Sequence, residues 1–430
     1  MTKTTKSPMA TNHRAVPARR GRHIVGMLAL YAINLGASAQ GIDFDGALRA
    51  ALERAPTLQA RTASVLGAAA LQTSAAQLPD PKLTLGIDSL PVSGPNRGSL
   101  TRDDFTQRQI GWMQDVPNRA KRAARADAAL ARTERERALL QMERLTVRRE
   151  TGLAWLARHF AEKRLALFDE LSGHQQLLQS TAPAQLAAGK VSPAEVAMIN
   201  LEALALADRR DELQREAGQA STMLRRWIGD SDGSKLAGEA PALLVDRSYL
   251  LAHIERHPEI AVLTPMRAMA DAEVREAQAA EQGDWSWGVS YGKRGQGFGD
   301  LVSVQLTFEL PLSPQQRQQP QIRARQKELE RIAAERDELL RRQTQELEAL
   351  LAELGELDSK LNRLTQQTLP LAAQRTAFAL AAYESGRDKL AAVLEARKQQ
   401  TETGLRALEL QAKQRAVQWR LNSILPEQAP

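Results

Sequence analysis

From Val302 to Leu310 the chain alternates without a break. Val302, Val304, Leu306, Phe308 and Leu310 are apolar; Ser303, Gln305, Thr307 and Glu309 are polar. Three other stretches share the pattern. Leu83, Leu85 and Ile87 alternate with Thr84, Gly86 and Asp88. Ile110, Trp112 and Val116 fall on one parity. Trp285, Trp287, Val289 and Tyr291 alternate with Ser286, Gly288 and Ser290. A period of two gives a strand one apolar and one polar face, which predicts strands at about 82–89, 107–116, 284–292 and 301–310. Two of them run into proline, at Pro117 and at Pro311 with Pro314. Proline cannot extend a strand ladder but suits the entry to a helix.

Behind each proline the period changes. Long charged helical patterns run from Asn118 to about Thr181 and from Gln315 to about Ser385, with charges alternating in sign as in "RTERERALLQMERLTVRRE" and "RQKELERIAAERDELLRR". At 1.5 Å per residue each helix would span on the order of 100 Å. Alternating charge marks the solvated faces of coiled-coil helices. Pro183 and Pro370 are expected to break or kink them.

The pattern occurs twice. Pro56 and Pro258 lie 202 positions apart, as do Gly86 and Gly288; Pro117 and Pro311 are 194 apart, and Gly189 and Gly386 are 197 apart. The chain therefore divides into repeats at 40–240 and 241–430, each ordered as short helix, strand, loop, strand, long helix, glycine turn, helix. Residues 1–39 stand outside the repeats. They carry six basic residues and no acid, then the apolar run "IVGMLALYAINLGA", then Ala37-Ser38-Ala39. This is the form of a secretory signal peptide cleaved after Ala39, with Met9 as an alternative start.

Composition sharpens the compartment and removes several functions. The net charge of +7 over 430 residues comes mostly from that leader; without it 52 basic residues face 51 acidic ones, which leaves no basis for a nucleic-acid surface. There is no cysteine, so no disulfide, thiol nucleophile or cysteine metal site. Aromatic residues are only 4% of the chain, which suits long, closely packed helices rather than a compact aromatic core. Trp112, Trp285, Trp287, Tyr291 and Phe308 nevertheless gather in the strands. Strands of ~9–11 residues, apolar outside, polar inside and flanked by aromatics, fit a membrane β-barrel; the other reading is an amphipathic hairpin on a soluble core. Four strands cannot close a barrel, and lipid does not tolerate open edges, so the membrane reading requires oligomerisation.

The ordered set of "ALRAALERAPTLQA", the two strand-proline-helix junctions, the two glycine turns and the duplication resembles the TolC-type outer membrane efflux proteins over about residues 42–425. "PDPKLTLGIDSLPV" and "IGWMQDVPNRAKR" look most like the heavy-metal efflux branch. The resemblance implies a mainly helical fold with membrane β-structure: a trimeric 12-stranded barrel in the outer membrane continued by a 12-helix periplasmic tunnel. It implies a homotrimer that works with a periplasmic adaptor and an inner-membrane RND-type pump, and no cofactor. Ala188, Gly189 and Lys190, and Ser385, Gly386 and Arg387, match the periplasmic tips that touch the adaptor. Tyr383, Asp388, Glu395 and Glu195 match positions at the periplasmic gate, although Asp388 stands where the best-known member has an arginine. Trp112, Trp285, Trp287, Tyr291 and Phe308 would be membrane-interface aromatics.

Other motifs carry less. His253 and His257 have i, i+4 spacing, but Pro258 disfavours a helix at His257 and no third ligand is near. "GQGFG" lacks the lysine and helix of a phosphate loop. Met266 and Met269 have the spacing of packing residues. No catalytic set emerges. Two rival functions remain. A periplasmic adaptor would need more short strands, and a secreted coiled-coil structural protein leaves the alternating strands unexplained.

Overall fold

The computed structural model describes residues 41–189, 191–229, 235–295 and 297–426, with the side chains of 174–178 excepted. The signal peptide expected at 1–39 and the tip residue Lys190 lie outside the described residues.

The same order of elements occurs twice. The first runs α1 (Phe44–Arg54), α2 (Pro56–Ala75), β1 (Lys82–Asp88), β2 (Gln107–Val116), α3 (Arg119–Ala187) and α4 (Pro193–Ile228). The second runs α5 (Arg247–Ala252), α6 (Pro258–Ala279), β3 (Trp285–Lys293), β4 (Leu301–Phe308), α7 (Gln318–Arg363), α8 (Leu369–Glu384) and α9 (Leu390–Asn422). The alternation of the sequence places all four strands. At the end of β4 it overreaches: the strand stops at Phe308, two residues short of Leu310. Glu309 still donates its N–H to the carbonyl of Asp284, its in-register neighbour, at 2.8 Å, and the chain leaves the ladder at Leu310, ahead of Pro311.

The four strands form one antiparallel sheet in the order β1-β2-β3-β4. Its central pairing joins the two repeats, with Ile110 opposite Tyr291 and Trp112 opposite Val289. Each proline junction then opens a helix. Asn118 caps α3 by accepting from the Lys121 N–H at 2.8 Å, and its own amide donates to the Ala279 carbonyl at 2.8 Å. Asp284, just ahead of β3, accepts from the Asn118 backbone N–H at 2.9 Å and from the Lys121 ammonium at 2.8 Å. Burial alone would raise the Asp284 pKa, but the Lys121 ammonium and the Asn118 N–H outweigh it and hold the carboxyl below its ordinary value. The junction of the first repeat is thus knotted to the strand entry of the second.

The helix α3 has 69 residues, about 100 Å. Of the break or kink expected at Pro183, there is no break: the helix runs through the proline to Ala187. Proline removes one bond and crowds the preceding turn. Here Ala182 beside it is packed into a cluster shared by four helices, which holds the backbone in place. At Pro370 the expected interruption takes a specific form. Leu364–Thr368 widens into a π-helical turn immediately before α8, with the proline in the first turn of that helix. A π turn relieves the clash between the proline ring and the carbonyl four residues back.

Apolar packing is distributed as small clusters along the helices rather than as one body. Ion pairs link neighbouring helices outside these clusters: Arg164 to Glu216 at 2.8 Å, Arg210 to Asp169 at 2.7 Å, Arg125 to Glu276 at 2.6 Å and Arg325 to Glu273 at 2.8 Å. Exposed pairs of this kind contribute little each. Despite the low aromatic content, one small aromatic cluster forms. Phe44 sits edge-on to Trp155 at 5.4 Å and to Trp419 at 4.9 Å. Trp155 donates to the Ile42 carbonyl at 3.2 Å and Trp419 to the Arg149 carbonyl at 2.9 Å. Phe44, Trp155, Phe160 and Trp419 thus gather where α1, α3 and α9 meet.

Beside them His159 stacks on Trp155 at 4.9 Å and is 6% exposed. Its Nε2 lies 3.7 Å from a Glu239 carboxylate oxygen that is already held by Lys163. Burial, then the Lys163 charge, lower its pKa against the opposing pull of Glu239 and Glu162. Above pH ~6.5 the imidazole is neutral in both folded and unfolded chains and costs nothing. Below that value the unfolded chain takes up the proton first, so stability falls until the folded-state pKa is passed. His257, also lowered by burial, adds to the same slope. The melting temperature in detergent is expected to drop between pH 7 and pH 5, and to drop less in His159→Phe. Equal drops would remove His159 from the account.

Candidate functional site

Two surfaces stand out: the sheet and the helix tips. On the sheet, register sorts the side chains by face. One face carries the rows Val116–Trp285–Phe308, Gln114–Trp287–Leu306, Leu83–Trp112–Val289–Val304 and Leu85–Ile110–Tyr291–Val302. These apolar side chains are largely bare, with Leu85 71% and Val304 72% exposed. In water a bare face of this size is costly. Trp112, Trp285, Trp287, Tyr291 and Phe308 all lie on it. Trp285 and Phe308 stack at 6.5 Å in the row next to the helices, whereas Trp112 and Trp287 occupy inner rows.

The opposite face is polar and carries small residues. Thr84, Gly111, Ser290 and Ser303 make one row; Asp115, Ser286 and Thr307 make another. A hollow of about 210 Å³ on this side is lined by Thr84, Gln109, Ser286, Ser303, Gln305 and Thr307, among others. Both outer strands, β1 and β4, have an unpaired edge. Among the described residues no helix is long and apolar enough to cross a membrane.

The tips are built by local rules. In the second repeat, α8 closes with Gly386 at φ 73°, its N–H bonded to the Tyr383 carbonyl at 2.9 Å and the Arg387 N–H to the Ala382 carbonyl at 2.9 Å. This is a Schellman motif, which needs the left-handed backbone that glycine adopts without penalty. Gly189 shares the positive φ, at 69°, and the first of these bonds, from its N–H to the Leu186 carbonyl at 3.0 Å, with Ala188 as the preceding cap. Nothing crowds either glycine. Ser385 and Arg387 are exposed beside Gly386.

Of the four residues expected at a gate, the structure brings two together. Asp388 and Glu395 line a groove of about 560 Å³ between α8 and α9, with Leu371, Gln374, Arg375 and Phe378. Tyr383 instead packs into the cluster of Ala182, Ile199, Leu390 and Val393, where the tips of both repeats meet. Glu195 is occupied locally. Its carboxylate accepts from the Ser192 N–H at 2.7 Å and hydroxyl at 2.9 Å, while Ser192 caps the Glu195 N–H at 3.2 Å. This capping box starts α4 and lowers the Glu195 pKa, with a smaller push from Lys389. The S-x-x-E spacing was the signal for that role. The histidine pair also goes separate ways: His253 turns to the Tyr249 carbonyl at 2.9 Å, and His257 caps α6 through Nδ1. Among the described residues no group of three or more His, Asp or Glu side chains could hold a metal ion.

No family model matches the chain, and no curated protein does. Solved structures do. A membrane protein from Pseudomonas aeruginosa is 18% identical with a TM-score of 0.76, covering 89% of each chain. The CmeC outer membrane channel of Campylobacter jejuni is 12% identical with a TM-score of 0.75, covering 89% of this chain and 85% of that one. CusC, which forms a transmembrane channel, is 16% identical with a TM-score of 0.73, covering 89% and 92%. Across nearly its whole described length, the chain has the fold of these channel proteins.

Proposed function

We propose that this chain is the outer-membrane subunit of a tripartite efflux system, a passive duct with no catalytic step of its own. The observation that carries the proposal is the sheet: a single layer with a bare apolar face, a polar face and two open edges, joined at one end to helices of about 100 Å. Lipid would cover the apolar face. The open edges would be closed by other copies, since a membrane barrel has none. Two copies would give eight strands, an interior that side chains fill; three give twelve, which leaves a water-filled lumen lined by Ser290, Ser303 and their neighbours. β2 with ten residues and β3 with nine have the span of tilted membrane strands. The likeness to CmeC and CusC supports the same reading.

In this reading the repeats are 40–240 and 241–430, residues 1–39 direct export, and the helices form a periplasmic tunnel. Its tips, Ala188–Lys190 and Ser385–Arg387, meet an adaptor fed by an RND-type pump. Asp388 and Glu395 would give the tunnel mouth a negative charge that favours cations, with a heavy-metal cation as the proposed cargo. The duct predicts that the mature protein fractionates with the outer membrane, migrates as a heat-labile trimer and conducts in a planar bilayer. Glu395→Ala is expected to lower the cation selectivity of that conductance. Recovery as a soluble periplasmic monomer would overturn the proposal, and an unchanged selectivity would remove Glu395 from the gate.

A further inference from the structure

The apolar face of the sheet ends differently at its two ends. Next to the helices it ends in Trp285 and Phe308. At the far end, one row beyond Leu85, Ile110 and Tyr291, it ends in Ile87, Arg108 and Lys293. Arg108 and Lys293 are direct cross-strand partners on β2 and β3, on the same face as the apolar rows. Like charges placed opposite each other disfavour strand pairing. Both side chains are exposed, and neither has a hydrogen-bond or ion-pair partner among the described residues.

Two acids near the pair have other partners. Asp300, one residue before β4, accepts the Tyr291 hydroxyl, and Asp88 accepts from Gln107 at 3.1 Å on the other face. A second copy of the chain does not reach the pair either. Copies can add only at the free edges, β1 and β4, and Arg108 and Lys293 stand on the two inner strands. What remains is the medium that covers the apolar rows beneath them. A guanidinium and an ammonium side by side match the oxygens of a phosphate, the first as a fork and the second as a point charge. Their long stems can lie along apolar surface while the charged heads reach a headgroup layer.

We propose that Arg108 and Lys293 together bind the phosphate of a lipid headgroup, in the leaflet on the loop side of the barrel. The pair holds the sheet at a fixed depth, opposite the aromatic row at the helix end. This inference rests on the outer-membrane reading given above.

The test is native mass spectrometry of the full-length protein purified in detergent and titrated with phosphatidylglycerol, with diacylglycerol as the uncharged control. R108Q/K293Q is expected to bind phosphatidylglycerol about 30-fold more weakly than the wild type, from two lost contacts to an anionic surface. R108K/K293R is expected to retain binding, and diacylglycerol to show no difference among the three. Retention within about twofold by R108Q/K293Q would overturn the proposal, as would displacement of the lipid by millimolar inorganic phosphate alone. Fractionation of the same cells keeps the two ideas apart. A trimer that sits in the outer membrane and conducts, yet binds the lipid equally with and without the pair, sinks only the lipid site; a soluble chain sinks both.

Discussion

Val289→Arg is expected to abolish trimer recovery from outer membranes, while Ser290→Arg, one residue along the same strand, leaves the trimer intact and narrows its conductance. Val289 lies in the row Leu83–Trp112–Val289–Val304, at the middle of the apolar face. An arginine at the midplane of a lipid-facing strand costs ~2–4 kcal/mol. In the proposed trimer three copies would bear that cost together, against a marginal total stability. Ser290 sits on the polar face beside Gly111 and Ser303, where a charge meets water. On a soluble sheet the expectation reverses: arginine at an already exposed valine is nearly neutral. Heat-dependent migration of the two variants on gels, followed by single-channel recording, separates the cases. Wild-type trimer yield from Val289→Arg would refute lipid contact at this face.

The second large effect lies far from the sheet. Trp419→Ala is expected to destabilise the chain by ~3–5 kcal/mol, the usual cost of emptying a buried aromatic site. Trp419 is 3% exposed, edge-on to Phe44, and bonded to the Arg149 carbonyl on a helix 270 positions earlier. It lies against Gly152, where an added Cβ would come 2.3 Å from Nε1 of the indole. Gly152→Ala is therefore expected to cost ~1–3 kcal/mol by overpacking. The two should not add. Removing the indole removes the clash, so the double variant is expected to be no worse than Trp419→Ala alone. Denaturant unfolding of the three variants measures this, and simple additivity would show that the contact does not limit how closely α3 and α9 approach.

What the sequence made legible, and what it hid, follows from the range of each interaction. The strands could be read because a period of two is a local property, and the same parity placed Trp112, Trp285, Trp287, Tyr291 and Phe308 on one face. The junctions at Pro117 and Pro311 and the turns at Gly189 and Gly386 could be read because proline and glycine act on their own backbone. The aromatic knot could not. Phe44, Trp155 and Trp419 come from three distant segments, and nothing around any one of them points to the others. The helix through Pro183 was hidden for a related reason: its local cost is outweighed by packing at Ala182 that involves three other helices. Tyr383, Asp388 and Glu395 are close in sequence but divide between a packed cluster and an open groove, because they lie on α8, in the turn after it and on α9, and sequence spacing does not carry across the turn.

The pairing of β2 with β3 also bears on how the chain reaches its folded state. Gln109 reaches Ser290 diagonally across that pairing, 181 positions away, so the sheet closes a loop of that length between the two repeats. Loop closure of that length carries an entropic cost, and contacts distant in sequence form slowly. The helical hairpin of α3 and α4, which lies entirely inside the loop, needs only nearby contacts. The order this favours is helices early and sheet late. A chain that assembles in this order does not display its widest apolar surface in water until its hydrophilic rods are already built.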